Sequence, residues 1–246
     1  MKTNYHQPID PKSDTKGHGR LNLRVDSTPA DALSLEDATQ QYWDLFYKKQ
    51  KLQSPPSQFA AFIASEFKSH QLYVDIGCGN GRDTLFFSYL GHDVIGIDKS
   101  SSAIDFCNSQ IISNSEKLST FLEADISDLA INTPVFSEIR SIKKLIYSRF
   151  FLHAIQEQKE DELFEFIVQI ARNPEDVIAL EFRTQEDEHN PKAAKAHFRR
   201  FISPHELQTK LEGKFNLKVT YQVQGYGLAK YGAEDAHVCR MLLTPF

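Results

Sequence analysis

The stretch Leu72-Tyr73-Val74-Asp75-Ile76-Gly77-Cys78-Gly79-Asn80-Gly81-Arg82-Asp83 constrains this chain more than any other. Leu72, Tyr73, Val74 and Ile76 are strand formers in a short apolar run, the pattern of a buried strand. Three glycines follow, which permit a tight turn and let a ligand lie against bare backbone. Thr84, Leu85, Phe86, Phe87, Tyr89 and Leu90 then recur with helical spacing, predicting a helix over Asp83 to Leu90. A strand, a glycine turn and a helix predict a nucleotide-like ligand at the carboxyl edge of a parallel sheet. Dinucleotide sites space their glycines G-x-G-x-x-G and set a pyrophosphate on the helix N-terminus. Here the spacing is G-x-G-x-G, with Arg82 where the third dinucleotide glycine would stand. Asp75 precedes the turn, where its charge opposes a pyrophosphate and favours a cationic ligand with an amino group.

The rest of the chain alternates strands and helices. Met1 to about Ala30 is polar and broken by Pro and Gly, which predicts a flexible arm (residues 1–30) ahead of one domain (31–246). Leu33 to Tyr47 has helical apolar spacing, and Ser57 suits the cap of a helix Gln58 to Phe67. Strands are predicted at Asp93–Asp98, Thr120–Ala124, Ile142–Ser148 and Val177–Thr184, with helices Ala103–Ile112, Glu160–Ala171 and His205–Leu211. Ser203 and Pro204 fit the cap and first position of the last helix. Phe215–Val223 and Ala236–Leu243 are two strands without a helix between them, hence an antiparallel pair, with Gly225 to Ala229 as a flexible connection able to reach the site. The expected fold class is α/β, a doubly wound and mostly parallel sheet with an antiparallel last strand.

Asp98 ends the second strand about 20 residues beyond the glycine turn, where an acid meets ribose hydroxyls in such folds. It also fits the cap of the helix that follows, and the two roles can coexist. Lys99 comes next and is a candidate to flank the nucleoside.

The segment around Asp75, Gly77, Cys78 and Gly79 resembles the first motif of the class I S-adenosylmethionine-dependent methyltransferases. The resemblance implies a Rossmann-like sheet of seven strands, S-adenosyl-L-methionine as cofactor, and Asp75 with the glycine backbone holding the methionine end. It also implies that Asp125, after the third strand, accepts from the adenine amino group while the Ile126 amide meets a ring nitrogen. Asp125-Ile126-Ser127-Asp128 reads equally as a plain helix start. Asp83 and Ser148, at the helix start and the end of the fourth strand, join the expected cofactor contacts. Tyr42-Trp43-Asp44 with Phe46-Tyr47-Lys48 is similar to the N-terminal helix of thiopurine- and tellurite-type methyltransferases, which closes over the methionine end. Trp43 is accordingly a candidate cover, or a member of an aromatic stripe packed on the core.

The acceptor side is read from the later strands. The fourth strand ends in Ser148-Arg149-Phe150-Phe151-Leu152-His153 and lacks the Asn/Asp-Pro-Pro-Tyr motif of DNA and protein amide methyltransferases. Arg149 and His153 lie four apart and would share a face on a helical turn. His153 is either a base or orienting group, or a core histidine. Glu181 and Arg183 alternate with Phe182 on one strand face. His197, Arg199 and Arg200 cluster after the fifth strand, suited to an anionic substrate or to pairing with Glu186-Asp187-Glu188. The expected catalytic residues are His153, His197 and Arg149, and the expected substrate contacts are Glu181, Arg183, Arg199 and Arg200. Ser148-Arg149-Phe150, Glu181-Phe182-Arg183 and Phe198-Arg199-Arg200-Phe201 together look like a bacterial group linked to surface-polysaccharide and small-metabolite gene sets.

The net charge of −5 gives no general pull toward nucleic acid or anionic membrane. No apolar run is long enough to span a bilayer, and the first residues have no apolar signal core. Three scattered cysteines suit reduced thiols in the cytoplasm, and the nine histidines show no metal-ligand spacing. The expectation is a cytoplasmic methyltransferase acting on a small anionic metabolite or saccharide, most simply by O-methylation, with thiol or metalloid transfer as an alternative. A non-catalytic S-adenosylmethionine-binding protein and a dinucleotide oxidoreductase are the competing classes. Asp75 and Arg82 speak against the second of these.

Overall fold

The central strand, β1 (Leu72–Ile76), is buried along its whole length. It pairs in parallel with β2 (Asp93–Asp98) on one side and β4 (Lys144–Arg149) on the other. The computed structural model describes residues 34–49, 54–111, 118–129, 134–139, 141–192 and 197–246. The expected arm over residues 1–30 lies outside them. β3 (Ser119–Glu123), β5 (Val177–Arg183), β6 (Leu217–Tyr231) and β7 (Glu234–Pro245) complete a seven-stranded sheet in the order β3-β2-β1-β4-β5-β7-β6. Only β7 runs antiparallel to its neighbours. The strand order reverses between β1 and β4, which opens a crevice at their carboxyl ends.

Both faces of the sheet are covered, and the side chains alternate accordingly. Leu72, Val74, Ile76 and Ile146 belong to one core with α6 (Glu157–Ile170), α7 (Pro204–Lys214) and α5 (Pro134–Glu138), through Phe164, Leu207 and Phe136. Tyr73, Leu145 and Tyr147 belong to the other, against Phe59 and Ile63 of α2 (Gln58–Glu66) and Phe87 of α3 (Arg82–Tyr89). This period of two puts Asp75 on the α3 face, one residue before the glycine turn. A smaller core joins Cys78 of that turn to Ile104 and Cys107 of α4 (Ser101–Gln110) and Phe121 of β3. Ser57 and Ser203 cap α2 and α7, with Pro204 in the first turn of α7. α1 (Leu35–Lys48) is different: none of its residues is fully buried.

Two expectations are corrected here. Gly225 to Ala229 is no connection but lies inside β6, where the register against β7 shifts between Gly225 and Ala229. The positive φ of Gly227 (76°) serves that irregularity, and the turn between the strands falls at Gly232. Arg149 and His153 do not share a helical turn either. β4 ends at Arg149, Phe150 takes a left-handed φ of 58°, and His153 sits in a 3-10 turn over Leu152–Ala154.

Candidate active site

A cavity of about 500 Å3 opens over the carboxyl ends of β1, β2 and β4 and is roofed by α1. Its floor is the glycine turn. Gly77 and Gly79 have φ of +76° and +54°. A Cβ on Gly77 would lie 2.4 Å from the Phe151 ring, and one on Gly79 would lie 2.3 Å from the Tyr47 hydroxyl of α1. The amides of Gly77 and Cys78 both donate to Ile97 O, which fixes the turn to β2.

Three acids rim the floor. Asp75 lines the cavity, is 3% exposed, and accepts from Thr84 Oγ1 at 2.5 Å. Burial, with Asp83 and Asp98 adding repulsion, pushes its carboxyl up to about 8. Asp98 accepts from the Gly79 amide at 2.8 Å through Oδ2 and from the Ser100 amide at 2.9 Å through Oδ1. The helix cap itself is Ser100. The carboxylate keeps acceptor capacity beyond these amides, and burial raises its pKa against the backbone bonds from Ser100, Gly79 and Lys99. Asp125 meets Lys99 at 2.7 Å and Lys159 at 2.9 Å, and accepts from the Ser127 amide and hydroxyl. Burial works against ionisation, but these partners hold its carboxyl well below the usual range. Ile126 lines the cavity beside it.

α1 closes the roof through charges and aromatic rings. Glu36 contacts Lys99 at 2.8 Å and Lys159 at 3.3 Å, which completes a ring of four alternating charges with Asp125. Ser100 Oγ donates to Asp44 at 2.5 Å. Trp43 lines the cavity, with its ring 5.8 Å from Tyr47 and 5.0 Å from His197.

Arginines crowd the far wall. Arg149 on β4, Glu181 on β5 and Arg240 on β7 are direct cross-strand neighbours. Glu181 bridges the two guanidiniums at 2.8 and 2.7 Å. Glu181 is thus enclosed between arginines and does not line the cavity, although Arg149 does. Arg183 also lines it and is held by Asp187 and by Glu234 at the start of β7. Arg149 and Arg183 flank the Phe150 ring at 4.1 and 5.1 Å. Thr184 bridges Ile202 in parallel, and the Arg200 amide donates to His153 O, so the segment from His197 to Ile202 is tied beside the site. Arg199 donates to His197 Nε2 at 3.1 Å and makes no ion pair among the described residues. Its buried Nε has no hydrogen-bond partner. Burial, with Arg183 beside it, lowers its pKa.

The structure gathers Trp43, Asp75, Gly77, Cys78, Asp98, Lys99, Asp125, Ile126, Arg149, His153, Arg183, His197 and Arg199 around one cavity. Other expectations give way to internal bonding. Asp83 borders the cavity, but its oxygens take bonds from the Ser57 amide and hydroxyl and from the Tyr147 hydroxyl. Ser148 is 2% exposed and donates to Ile76 O. Arg200 binds Glu160, Leu152 O and Ile155 O, away from the cavity. Gly79 lies under Tyr47 rather than on the cavity wall. His153 cannot serve as a base through Nδ1, which already accepts the Arg183 amide.

Sequence reading missed Arg82, Lys159, Tyr231 and Glu234, all of which line the cavity. Arg82 stands in the motif, where its position speaks against a dinucleotide without marking it as a cavity residue. The other three reach the site from distant elements without a local signal. Among the described residues no cluster of three or more His, Cys, Asp or Glu could hold a metal ion, and no helix is long and apolar enough to cross a membrane.

A sheet in this order, with a glycine turn after β1 and an acid closing β2, defines the class I S-adenosylmethionine-dependent methyltransferases. The chain belongs to the TehB family: the family model described as tellurite resistance protein TehB matches residues 40–169. The protein is therefore a methyltransferase of this family, with the fold of enzymes that use S-adenosyl-L-methionine. Among solved structures the fold is similar to a methyltransferase of the same cofactor from Anabaena variabilis, with TM-score 0.62, 16% identity, and 87% of this chain and 96% of that one covered. It is also similar to magnesium protoporphyrin IX methyltransferase from Synechocystis with bound S-adenosylmethionine, with TM-score 0.52, 12% identity, and 94% and 87% covered. A third is the glycopeptide N-methyltransferase MtfA, with TM-score 0.59, 14% identity, and 78% and 97% covered. No curated protein matches the sequence.

Proposed function

We propose that this enzyme methylates a small anionic acceptor, at oxygen in the first instance. The observation that carries the reading is Arg199, a guanidinium on the cavity wall with a buried Nε that has no hydrogen-bond partner and no ion pair among the described residues. A charge so placed costs free energy until an anion meets it. Arg149 and Arg183 add positive charge to the same wall while their carboxylate partners hold them still.

The bound cofactor supplies an electrophilic methyl group on a sulfonium. In this reading Asp75 holds the ammonium of its methionine end, and Asp98 accepts from the ribose hydroxyls with its remaining lone pairs. Asp125 and Ile126 meet the adenine, flanked by Lys99, and Trp43 covers the methionine end. Catalysis is then mainly placement, with the acceptor atom about 3–3.5 Å from the methyl carbon and in line with the C–S bond. The three cysteines are free and buried, which supports a reducing compartment such as the cytoplasm.

A second reading follows from the family description, which names tellurite. An inorganic oxyanion would meet the same arginines, with the metalloid as the methylated atom. Calorimetric titration with S-adenosylmethionine, S-adenosylhomocysteine and NAD tests the cofactor. Transfer of a tritiated methyl group to fractionated cell extract tests the acceptor. Label that partitions only into neutral, non-ionisable acceptors refutes the anionic reading.

A further inference from the structure

His153 is 4% exposed, yet it lines the cavity. Its Nδ1 accepts the backbone N–H of Arg183 at 3.2 Å. A ring nitrogen that accepts carries no proton, so the neutral imidazole has its proton on Nε2. Among the described residues that Nε2–H has no acceptor. The alternative, an imidazolium, is opposed by burial and then by the positive groups around it, Arg183 on β5, Arg199 on the following segment and Arg149 on β4, with His197 also facing it. The carboxylates on this wall are already engaged, Glu181 by Arg149 and Arg240, and Asp187 and Glu234 by Arg183. The ring also stands edge-on to Phe150 at 5.1 Å, which fixes its plane.

We propose that His153 determines acceptor specificity as a neutral hydrogen-bond donor: its Nε2–H binds an oxygen of an acceptor that enters already deprotonated, a carboxylate or a comparable oxyanion. The inference rests on the anionic-acceptor reading above and states how the site selects that class. It also removes the need for a general base. When the acceptor is a carboxylate, its oxygen forms the new O–C bond as the C–S bond breaks, and the bonding pair goes to sulfur. Anion and sulfonium become a neutral methyl ester and a neutral thioether, and no proton is released. A neutral hydroxyl acceptor would instead have to lose a proton, and His153 has no lone pair free to take it.

The donor also discriminates. An alcohol oxygen can accept the Nε2–H bond, but it leaves Arg199 without a counter-charge. An amide nitrogen would present hydrogens to a donor. Losing a hydrogen bond to a charged group weakens an anion by about tenfold or more.

The test has two arms. In the first, protein labelled with 15N-histidine is followed by NMR from pH 6 to 8. The expected His153 signals are those of the Nε2–H tautomer, unchanged across the range; a ring that titrates within it, or carries its proton on Nδ1, overturns the proposal. In the second, acetate, benzoate and succinate are titrated into protein saturated with S-adenosylhomocysteine, alongside benzyl alcohol and benzamide. At least one carboxylate is expected to bind more tightly than both neutral probes. His153→Phe should weaken it about tenfold or more, and His153→Gln, which restores an N–H near the position of Nε2, should recover most of the loss. Carboxylates no tighter than the neutral probes, or Gln no better than Phe, overturn it. Failure to bind S-adenosylhomocysteine would instead count against the cofactor arrangement, and the NMR arm would still decide the tautomer.

Discussion

The Asp98 carboxylate accepts the Gly79 amide at 2.8 Å, so the acid that ends β2 is bonded to the glycine turn that follows β1. Two strands thereby present one rigid edge to the cavity. Asp98→Ala removes the brace and the proposed ribose acceptor together. S-adenosylhomocysteine affinity should fall by about ten- to a hundredfold, since hydrogen bonds to a charged group contribute about 1.5–3 kcal/mol. Calorimetry reads this directly. Unchanged affinity would remove Asp98 from the ribose.

Asp75 makes the unliganded protein pH-sensitive. Its carboxyl, pushed up to about 8 by burial and by Asp83 and Asp98, stays protonated in the folded chain where the unfolded chain has lost its proton. The folded state therefore binds the extra proton, and this contribution to stability falls as pH rises from about 4 toward about 8. A cationic ammonium beside Asp75 favours the ionised form, so cofactor binding near pH 7 should release a proton. Calorimetry in buffers of different ionisation enthalpy should show that release, and Asp75→Asn should abolish its share of it.

The sheet was legible in the sequence because β1, β2 and β5 are apolar runs bounded by turn residues, and local composition decides such elements. The glycine turn, Asp98 and Asp125 were legible for the same reason, each standing at the end of a strand. What escaped was set by distance. The Arg149, Glu181 and Arg240 row depends on strand register across three strands, and no local pattern encodes it. Glycines at 225 and 227 read as a connection because bulge and loop use the same residue. The bond from the Arg183 amide to His153 Nδ1 spans thirty positions, and no local pattern around the histidine announces it.

α1 is held by charge as well as by half-buried aromatic rings. It has no fully buried residue, and Glu36 ties it to Lys99 and Lys159. Partly exposed pairs contribute only about 0.2–1 kcal/mol each, and salt screens them. Glu36→Gln should leave global stability within about 0.5 kcal/mol but raise the cofactor dissociation rate by roughly two- to fivefold. Raising salt should mimic the substitution in the wild-type protein and add little in the variant. Stopped-flow fluorescence of Trp43, which lines the cavity, measures both. Equal rates in wild type and variant would show that the charge ring does not hold the roof.

Lys144 and Asp176 give the opposite case. Both side chains are fully buried at the amino end of β4, away from the cavity. Asp176 takes bonds from the Lys144 amide and ammonium and from the Asn173 amide. Asp176→Ala leaves a buried ammonium and two amides without an acceptor, and should cost about 3–5 kcal/mol. Replacing both partners, Lys144→Met with Asp176→Leu, should cost less than the single change, because no charge is stranded. Urea unfolding measures the difference. Cofactor affinity in the folded fraction should match wild type for either protein, which separates this pair from Asp75 and Asp98 at the other end of the sheet.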